Sequence, residues 1–111
     1  MRAAAVIRDL MLFSRIEAAA AVGGAFLLRA DAPGDVPTEP APDLVLVDWS
    51  DRSPAWADAL RTWRAAVPGA RVILFGPHTD LEAHAAAREA GLGPMWARSK
   101  LVAELPTLLR R

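Results

Sequence analysis

The sequence has no cysteine, no excess of charge and no long apolar segment, and each absence excludes a class of protein. Without cysteine the chain has no disulfide framework, no thiolate metal site and no cysteine nucleophile. Thirteen basic and thirteen acidic side chains cancel, which argues against binding to nucleic acid or to an anionic membrane, because both depend on positive charge. The longest uncharged stretch, residues 18–28, is about half the length that a membrane helix needs. The apolar run at residues 3–7 is too short for a signal peptide, so we expect a cytoplasmic protein.

The composition predicts one folded domain. The chain has 111 residues, of which 53% are hydrophobic, and a mean hydropathy of +0.19. Such a chain is too apolar to be disordered and long enough for one modest core. We therefore expect a single domain over residues 1–111.

Short apolar runs alternate with segments of helical periodicity. The runs are predicted to be buried strands, because they are apolar throughout. They lie at residues 3–7, 25–28, 44–47, 72–75 and 95–97. Ser53 is expected to cap the helix that carries Trp56 and Trp63 on its sheet-facing side. Ser99 is expected to cap the last helix, which Pro106 should bend or interrupt.

This alternation predicts a parallel sheet with helices on both faces. Five strands in so short a chain fit the flavodoxin-like doubly wound α/β fold, with strand order 2-1-3-4-5. The exception is the segment at residues 31–43, a loop with four prolines and no helical periodicity. The helix between the second and third strands is therefore expected to be missing or reduced to a turn. Its loss should expose apolar sheet surface near the first two strands, and such patches usually mark partner surfaces.

Four side chains that follow predicted strands should meet at one edge of the sheet. In an open parallel sheet, ligands bind beyond the carboxyl ends of the strands, where the strand order reverses. Asp9 and Asp48 follow the first and third strands, and Gly76 and Arg98 follow the fourth and fifth. Asp48 is the most informative, because a carboxylate that ends an apolar strand is costly to desolvate unless it is paired. A structural ion pair is the alternative explanation for Asp48.

Over almost its whole length the sequence resembles the receiver domains of two-component response regulators. The resemblance is carried by Arg8 and Asp9 with residues 14–16, by residues 44–49, and by residues 86–91. It implies that Asp48 accepts a phosphoryl group and that Asp9 is one of two acids that hold Mg²⁺. It also implies a histidine kinase as a partner when the site is functional. In that chemistry a carboxylate attacks phosphorus while a divalent ion and a lysine neutralise the phosphoryl oxygens.

The sequence departs from the family pattern around the implied phosphate acceptor. Arg8 replaces the first acid of the family's pair, and Gly76 replaces the hydroxyl residue after the fourth strand. The family's lysine falls on Arg98, although an offset alignment would assign its place to Lys100, the only lysine in the chain. The aromatic switch position falls on Met95.

These departures predict a pocket that is neutralised by arginine. One acid fewer and an added positive charge weaken a Mg²⁺ site, because hard cations need several anionic oxygens. Arg8 is expected to form a charge-assisted pair with Asp48 in place of the metal. Asp9 and Asp48 are expected to bind Mg²⁺ only if the phosphoacceptor site is functional. Trp49 and Ser50 are expected to form the pocket loop beside Asp48.

We therefore predict a stand-alone, receiver-like signalling or protein-interaction module with a degenerate phosphoacceptor pocket (a pseudo-receiver), without a cofactor and without enzymatic activity. The alternative is a Mg²⁺-dependent response regulator that is phosphorylated on Asp48 in a two-component phosphorelay. A small enzyme that uses Asp9 and Asp48 as acid and base is a third reading, which the neighbouring arginines oppose, because they favour the ionised carboxylate. The expected partner is another protein or a second copy of the chain. It would bind the exposed sheet surface or a face built from Met95, Trp96 and Leu101.

Overall fold

The five apolar runs form one parallel sheet. The strands are β1 (Arg2–Val6), β2 (Phe26–Ala30), β3 (Leu44–Asp48), β4 (Arg71–Gly76) and β5 (Trp96–Ala97). The computed structural model describes all 111 residues and arranges the strands in the order β2-β1-β3-β4-β5, with every neighbouring pair parallel. The predicted flavodoxin-like order 2-1-3-4-5 is confirmed.

Four helices cover the two faces of the sheet. They are α1 (Leu10–Gly23), α2 (Trp56–Ala66), α3 (Leu81–Glu89) and α4 (Arg98–Leu108). Successive side chains of a strand point to opposite faces, and in β3 Leu44 and Leu46 pack with α1 and α4, whereas Val45 and Val47 pack with α2 and α3. The core is therefore divided into two apolar layers by the sheet. No helix combines the length and the apolar character needed to cross a membrane.

The start of α2 differs from the prediction, although its buried face does not. The helix begins at Trp56 with Ala55 at its N-cap, and Ser53 lies in the preceding turn, where its carbonyl accepts a hydrogen bond from the Trp56 N–H (3.1 Å). The predicted Ser53 cap is therefore wrong, because the chain makes one more turn before the helix. Trp56 and Trp63 are buried against the sheet, as predicted.

Two predictions for α4 are also wrong. The helix follows β5 without a loop, so that Ala97 occupies the N-cap position and Ser99 lies inside the first turn. Pro106 does not interrupt the helix, which continues to Leu108. Pro106 lies in the last turn, where the missing N–H removes only the hydrogen bond to Val102 and the helix has little further to run.

The proline-rich segment between β2 and β3 covers the sheet in place of a helix. As predicted, it contains no α-helix, only a short 3-10 turn at Pro33–Asp35. Val36 is buried in the same cluster as Trp63, whose indole N–H donates to the carbonyl of Pro37 (3.2 Å). Residues 3–6 of β1 have no exposed surface. The predicted exposed apolar surface is therefore wrong for β1, which the loop helps to cover, whereas Phe26 of β2 is 58% exposed.

Gly23 allows the end of α1 to pack closely against the end of α4. A Cβ atom at Gly23 would lie 2.2 Å from the carbonyl oxygen of Leu109, and the Arg111 N–H donates to the Gly23 carbonyl (3.1 Å). Backbone atoms cannot rotate away as a side chain can, so a methyl group at this position has to separate the two helices.

We expect Gly23→Ala to lower the free energy of unfolding by about 1–3 kcal/mol, as measured by urea denaturation. The loss would oppose the higher intrinsic helix propensity of alanine. Gly69→Ala is the matched control, because a Cβ atom at Gly69 meets nothing within 4 Å. An equal effect of both substitutions would contradict the close helix contact.

Candidate functional site

The register of the sheet brings several strand ends to one edge. Asp48 pairs with Phe75 of β4 across the sheet, so Gly76 lies one residue closer to the carboxyl edge. Arg98 follows β5 at this edge, and Asp9 follows β1. The structure thus places the sequence-derived candidates Asp9, Asp48 and Arg98 together, in the region where a doubly wound sheet binds ligands.

Asp48 is the one charged side chain that is buried, with 2% of its surface exposed. Its Oδ1 atom accepts hydrogen bonds from the backbone N–H of Ser50 (3.2 Å) and from the Ser50 hydroxyl. Its Oδ2 atom accepts a hydrogen bond from Nη2 of Arg98 (3.3 Å). Both carboxylate oxygens are therefore satisfied, which is the condition for burying a charge.

Arg98 joins the two acids of the site. Its Nη2 atom lies 3.3 Å from Oδ2 of Asp48 and 3.5 Å from Oδ2 of Asp9. The other oxygen of Asp9 caps α1, since Oδ1 accepts hydrogen bonds from the N–H groups of Met11 (3.0 Å) and Leu12 (3.2 Å). The guanidinium group therefore lies against the two carboxylate oxygens that remain.

Arg8 does not form the predicted pair with Asp48, and this prediction is wrong. Its guanidinium carbon lies 5.9 Å from the centre of the Trp56 ring, and the chain contains no ion pair that involves Arg8. Ile7 is buried against α1 and α4, and the next side chain leaves on the opposite side, towards α2. The ion pair with Asp48 that was predicted for Arg8 is made by Arg98 instead.

Lys100 does not enter the site, and the interaction face predicted from Met95, Trp96 and Leu101 is mostly core. The ammonium nitrogen of Lys100 lies 4.3 Å from the centre of the Trp96 ring, a cation–π contact. Met95 and Leu101 are buried, at 5% and 0% exposure. The predicted interaction face is therefore wrong for these two residues, which pack inside the domain. Trp96 alone of the three is half-buried.

Gly76 and Met95 are in direct contact beside the site. A Cβ atom at Gly76 would lie 3.1 Å from Sδ and 3.3 Å from Cε of Met95. The thioether therefore occupies the space into which a side chain at position 76 would grow. The loop residue Trp49 is buried and donates its indole N–H to the carbonyl of Ala83 in α3 (3.1 Å), so that Ser50 is the loop residue that contacts Asp48.

Asp51 is a third acid at this edge, and the sequence analysis did not single it out. The 3-10 turn Trp49–Asp51 has three residues per turn, which returns Asp51 to the side of Asp48. Burial, followed by repulsion from Asp48, raises the pKa of Asp51 above its ordinary value, although Arg8 and Arg98 oppose this. An acid three positions after the strand-ending Asp48 was the signal that could have found it.

The donor set does not fit Mg²⁺. No group of three or more His, Asp or Glu side chains is arranged to hold a metal ion. One oxygen of Asp9 and one of Asp48 are engaged by the chain's own hydrogen-bond donors, and Arg98 lies against the other two. Mg²⁺ requires near-octahedral oxygen ligands, which this arrangement does not present.

Comparison with solved structures identifies the fold. A response regulator receiver domain from Clostridium thermocellum is similar, with 18% identity and a TM-score of 0.68 over 97% of this chain and 93% of that one. An orphan response regulator of H. pylori has 19% identity and a TM-score of 0.71 over 99% and 97% of the two chains. The chain has the receiver fold.

A pilus assembly protein, CpaE from Caulobacter crescentus CB15, also shares this receiver fold. It has 20% identity and a TM-score of 0.62 over 99% of this chain and 93% of that one. Neither a protein-family model nor a curated protein sequence matches the chain. The likeness therefore lies in the fold and not in close sequence identity.

We expect Arg98→Met to lower the free energy of unfolding by about 1–3 kcal/mol, because it leaves the buried Asp48 carboxylate without its cation. Lys100→Met is the matched control in the same helical turn and should cost about 1 kcal/mol or less, the worth of an exposed cation–π contact. A double-mutant cycle with Asp48→Asn should give a coupling energy above about 0.5 kcal/mol. A coupling energy of zero would contradict the ion pair.

Asp51→Asn is expected to stabilise the protein at neutral pH. The pKa of Asp51 is raised in the folded state, so its contribution to stability is fully present below the unfolded pKa and is lost as the pH rises through the folded pKa. The variant should therefore exceed the wild type in unfolding free energy at pH 7, and the difference should shrink as the pH falls towards 3.8, the ordinary value for aspartate. Urea denaturation across this range measures the effect, and a difference independent of pH would contradict it.

Proposed function

We propose that the chain is a receiver-like signalling module that acts by protein contact, with an arginine in place of the divalent cation. The observation that carries the proposal is the position of Arg98, whose guanidinium nitrogen lies against one oxygen of Asp9 and one of Asp48. Positive charge is thereby supplied by the chain itself. The proposed module has no resident cofactor and no enzymatic activity.

The loss of an acid supports this proposal. The position at which the resemblance implies the first acid of a pair carries Arg8, whose side chain stacks on Trp56. Only Asp9 and Asp48 remain as acids from that pattern, and each has one oxygen in a local cap. Since a hard cation needs several anionic oxygens, the residues favour a permanent guanidinium over an exchangeable metal.

The neighbours of the site support a loss of phosphoryl switching. The resemblance implies a hydroxyl side chain after β4 and an aromatic side chain before β5. The chain has Gly76 and the buried Met95, which are in contact. No hydroxyl is available at position 76 to follow an added phosphoryl group, and the thioether is held in the core.

We propose a protein as the partner. Of the similar structures, CpaE is described as a pilus assembly protein and another as an orphan response regulator. Assembly through contact is a use that a receiver fold can retain when an arginine pairs with the acids of its pocket.

One observation favours phosphorylation of Asp48 as a second candidate function. Asp48 ends β3 at the carboxyl edge, and a basic side chain lies at the position of the family's lysine. A histidine kinase and Mg²⁺ would then be required. The two candidates differ in whether the site responds to Mg²⁺ and a phosphoryl mimic.

The deciding experiment follows the Ser50 amide and the Trp49 indole N–H by NMR during titration with Mg²⁺ and fluoroberyllate. We expect no saturable shift for the wild type. The double variant Arg8→Asp/Arg98→Lys, which restores the acid and the lysine, should gain a Mg²⁺-dependent shift. Adding Asp48→Asn to this variant should abolish the response, because it removes the acceptor carboxylate. A saturable response of the wild type would overturn the proposal in favour of the phosphorylated regulator.

A further inference from the structure

Helix α1 carries apolar side chains on the side that faces solvent as well as on the side that faces the sheet. Leu12, Ile16 and Ala20 are buried beneath it. On the outer side, Met11 is 84% exposed and Val22 is 92% exposed. A surface helix normally has a polar outer face, and a helix that is apolar all round is normally buried. The outer face of α1 therefore has the character of a contact surface.

The exposed residues of α1 follow the spacing of a two-helix seam. We define the α1 seam as Met11, Ser14, Ala18 and Ala21. Their spacing of three, four and three residues is that of the core positions of a coiled coil. All four are exposed, and the small side chains at three of them allow a second helix to approach closely. The seam spans most of the helix, from its first turn to its last.

The two charged residues that flank the α1 seam determine which partner fits. Arg15 lies on one edge of the seam and Glu17 on the other, since they are two residues apart on a helix with about 3.6 residues per turn. Neither forms an ion pair within the chain. When two copies of α1 pack in parallel, Arg15 of each copy lies on the same side as Glu17 of the other. Antiparallel packing would instead bring like charges together.

We propose that the α1 seam binds a second copy of this chain, with the two α1 helices parallel about a twofold axis. The flank of the seam supports this arrangement. A groove of about 770 Å³, lined by residues that include Arg15 and Val102, lies between α1 and α4. Leu10, which is 64% exposed, lies on the same edge of the seam as Glu17. In the parallel dimer, Leu10 of one copy therefore faces the groove of the other copy. The groove also contains Asp9 and Arg98 of the ionic site, whereas no residue of the α1 seam pairs with Asp48.

The length of the seam sets the strength of the contact. α1 has 14 residues, which correspond to about 21 Å of helix, and the area that it can bury is smaller than the ~800 Å² per partner of a standard interface. The helix is already folded in each copy, so association does not require it to form. We therefore expect a dimer that dissociates in the micromolar range.

Sedimentation velocity tests the proposal with the whole chain. The wild type should change from monomer to dimer as its concentration rises through the micromolar range, and Ala18→Arg should weaken the dimer at least tenfold. Leu81→Arg is the matched control, because Leu81 is 76% exposed on α3, on the opposite face of the sheet. A wild type that stays monomeric at every concentration overturns the proposal, as does a Leu81→Arg variant that disrupts the dimer equally.

Charge exchange tests the pairing of the two flanks. Arg15→Glu and Glu17→Arg should each weaken the dimer at least threefold, and the double exchange Arg15→Glu/Glu17→Arg should restore the wild-type dissociation constant. These residues are exposed, so the variants should fold. A double variant as weak as either single one overturns the proposed pairing.

Cross-linking tests the parallel arrangement, and the absence of cysteine from the chain makes the result unambiguous. In a parallel pair each seam residue lies opposite itself, so Met11→Cys should form a disulfide-linked dimer under mild oxidation. Leu81→Cys should not. Cross-linking only in a mixture of the Met11→Cys and Ala21→Cys variants would indicate antiparallel helices and would overturn the proposal.

Discussion

The constraint on which the carboxyl edge of this fold depends is the burial of the Asp48 charge. A carboxylate at the end of an apolar strand, with 2% of its surface exposed, is tolerated only when every lone pair that faces the interior has a donor. Ser50 supplies two donors from the loop, and Arg98 supplies the compensating charge. Arg98 is also the first residue of α4, so the side chain that compensates the buried carboxylate lies at the start of a helix.

The same guanidinium group links elements that are distant in sequence. Through Asp9 it reaches the N-cap of α1, and through Asp48 it reaches the end of β3. A metal ion in such a position can dissociate, whereas a guanidinium group is attached to the chain and stays charged at every physiological pH. Arg98 thereby compensates one of the two carboxylate charges with a group that belongs to the chain itself. The Arg98 side chain is 44% exposed, so water still reaches its outer side.

The fold could be predicted from the sequence because many residues report on it at once. Each strand is an apolar run, each helix has its periodic stripe, and the alternation of the two leaves little choice of architecture. The predictions were wrong where a feature depends on the direction of a single side chain or on the path of a single loop. Whether Arg8 turns towards Asp48 or Trp56 depends on the pleat at the end of a single strand, which composition does not reveal. Similarly, the packing of Val36 on the sheet follows no periodic pattern.

The position of Asp51 is a second example of a local feature that the sequence pattern does not predict. Its closeness to Asp48 results from a three-residue turn that no hydrophobic periodicity records. Met95 and Leu101 illustrate the converse, since apolar residues near an expected surface are more often part of the core. The sequence therefore indicated that Asp9, Asp48 and Arg98 meet, but it did not reveal Asp51, which of two arginines pairs with Asp48 or which apolar residues remain outside the core.

Helix α1 connects the ionic site with the outer surface of the molecule. Its first N–H groups are held by Asp9, which is itself held by Arg98, while its last residue packs against the backbone of Leu109. Both ends of the helix are therefore held by contacts within the chain. A conformational switch requires an element with two arrangements of similar free energy, and these contacts favour a single arrangement of α1. A surface carried by such a helix suits the proposed module, whose pocket contains its own cation.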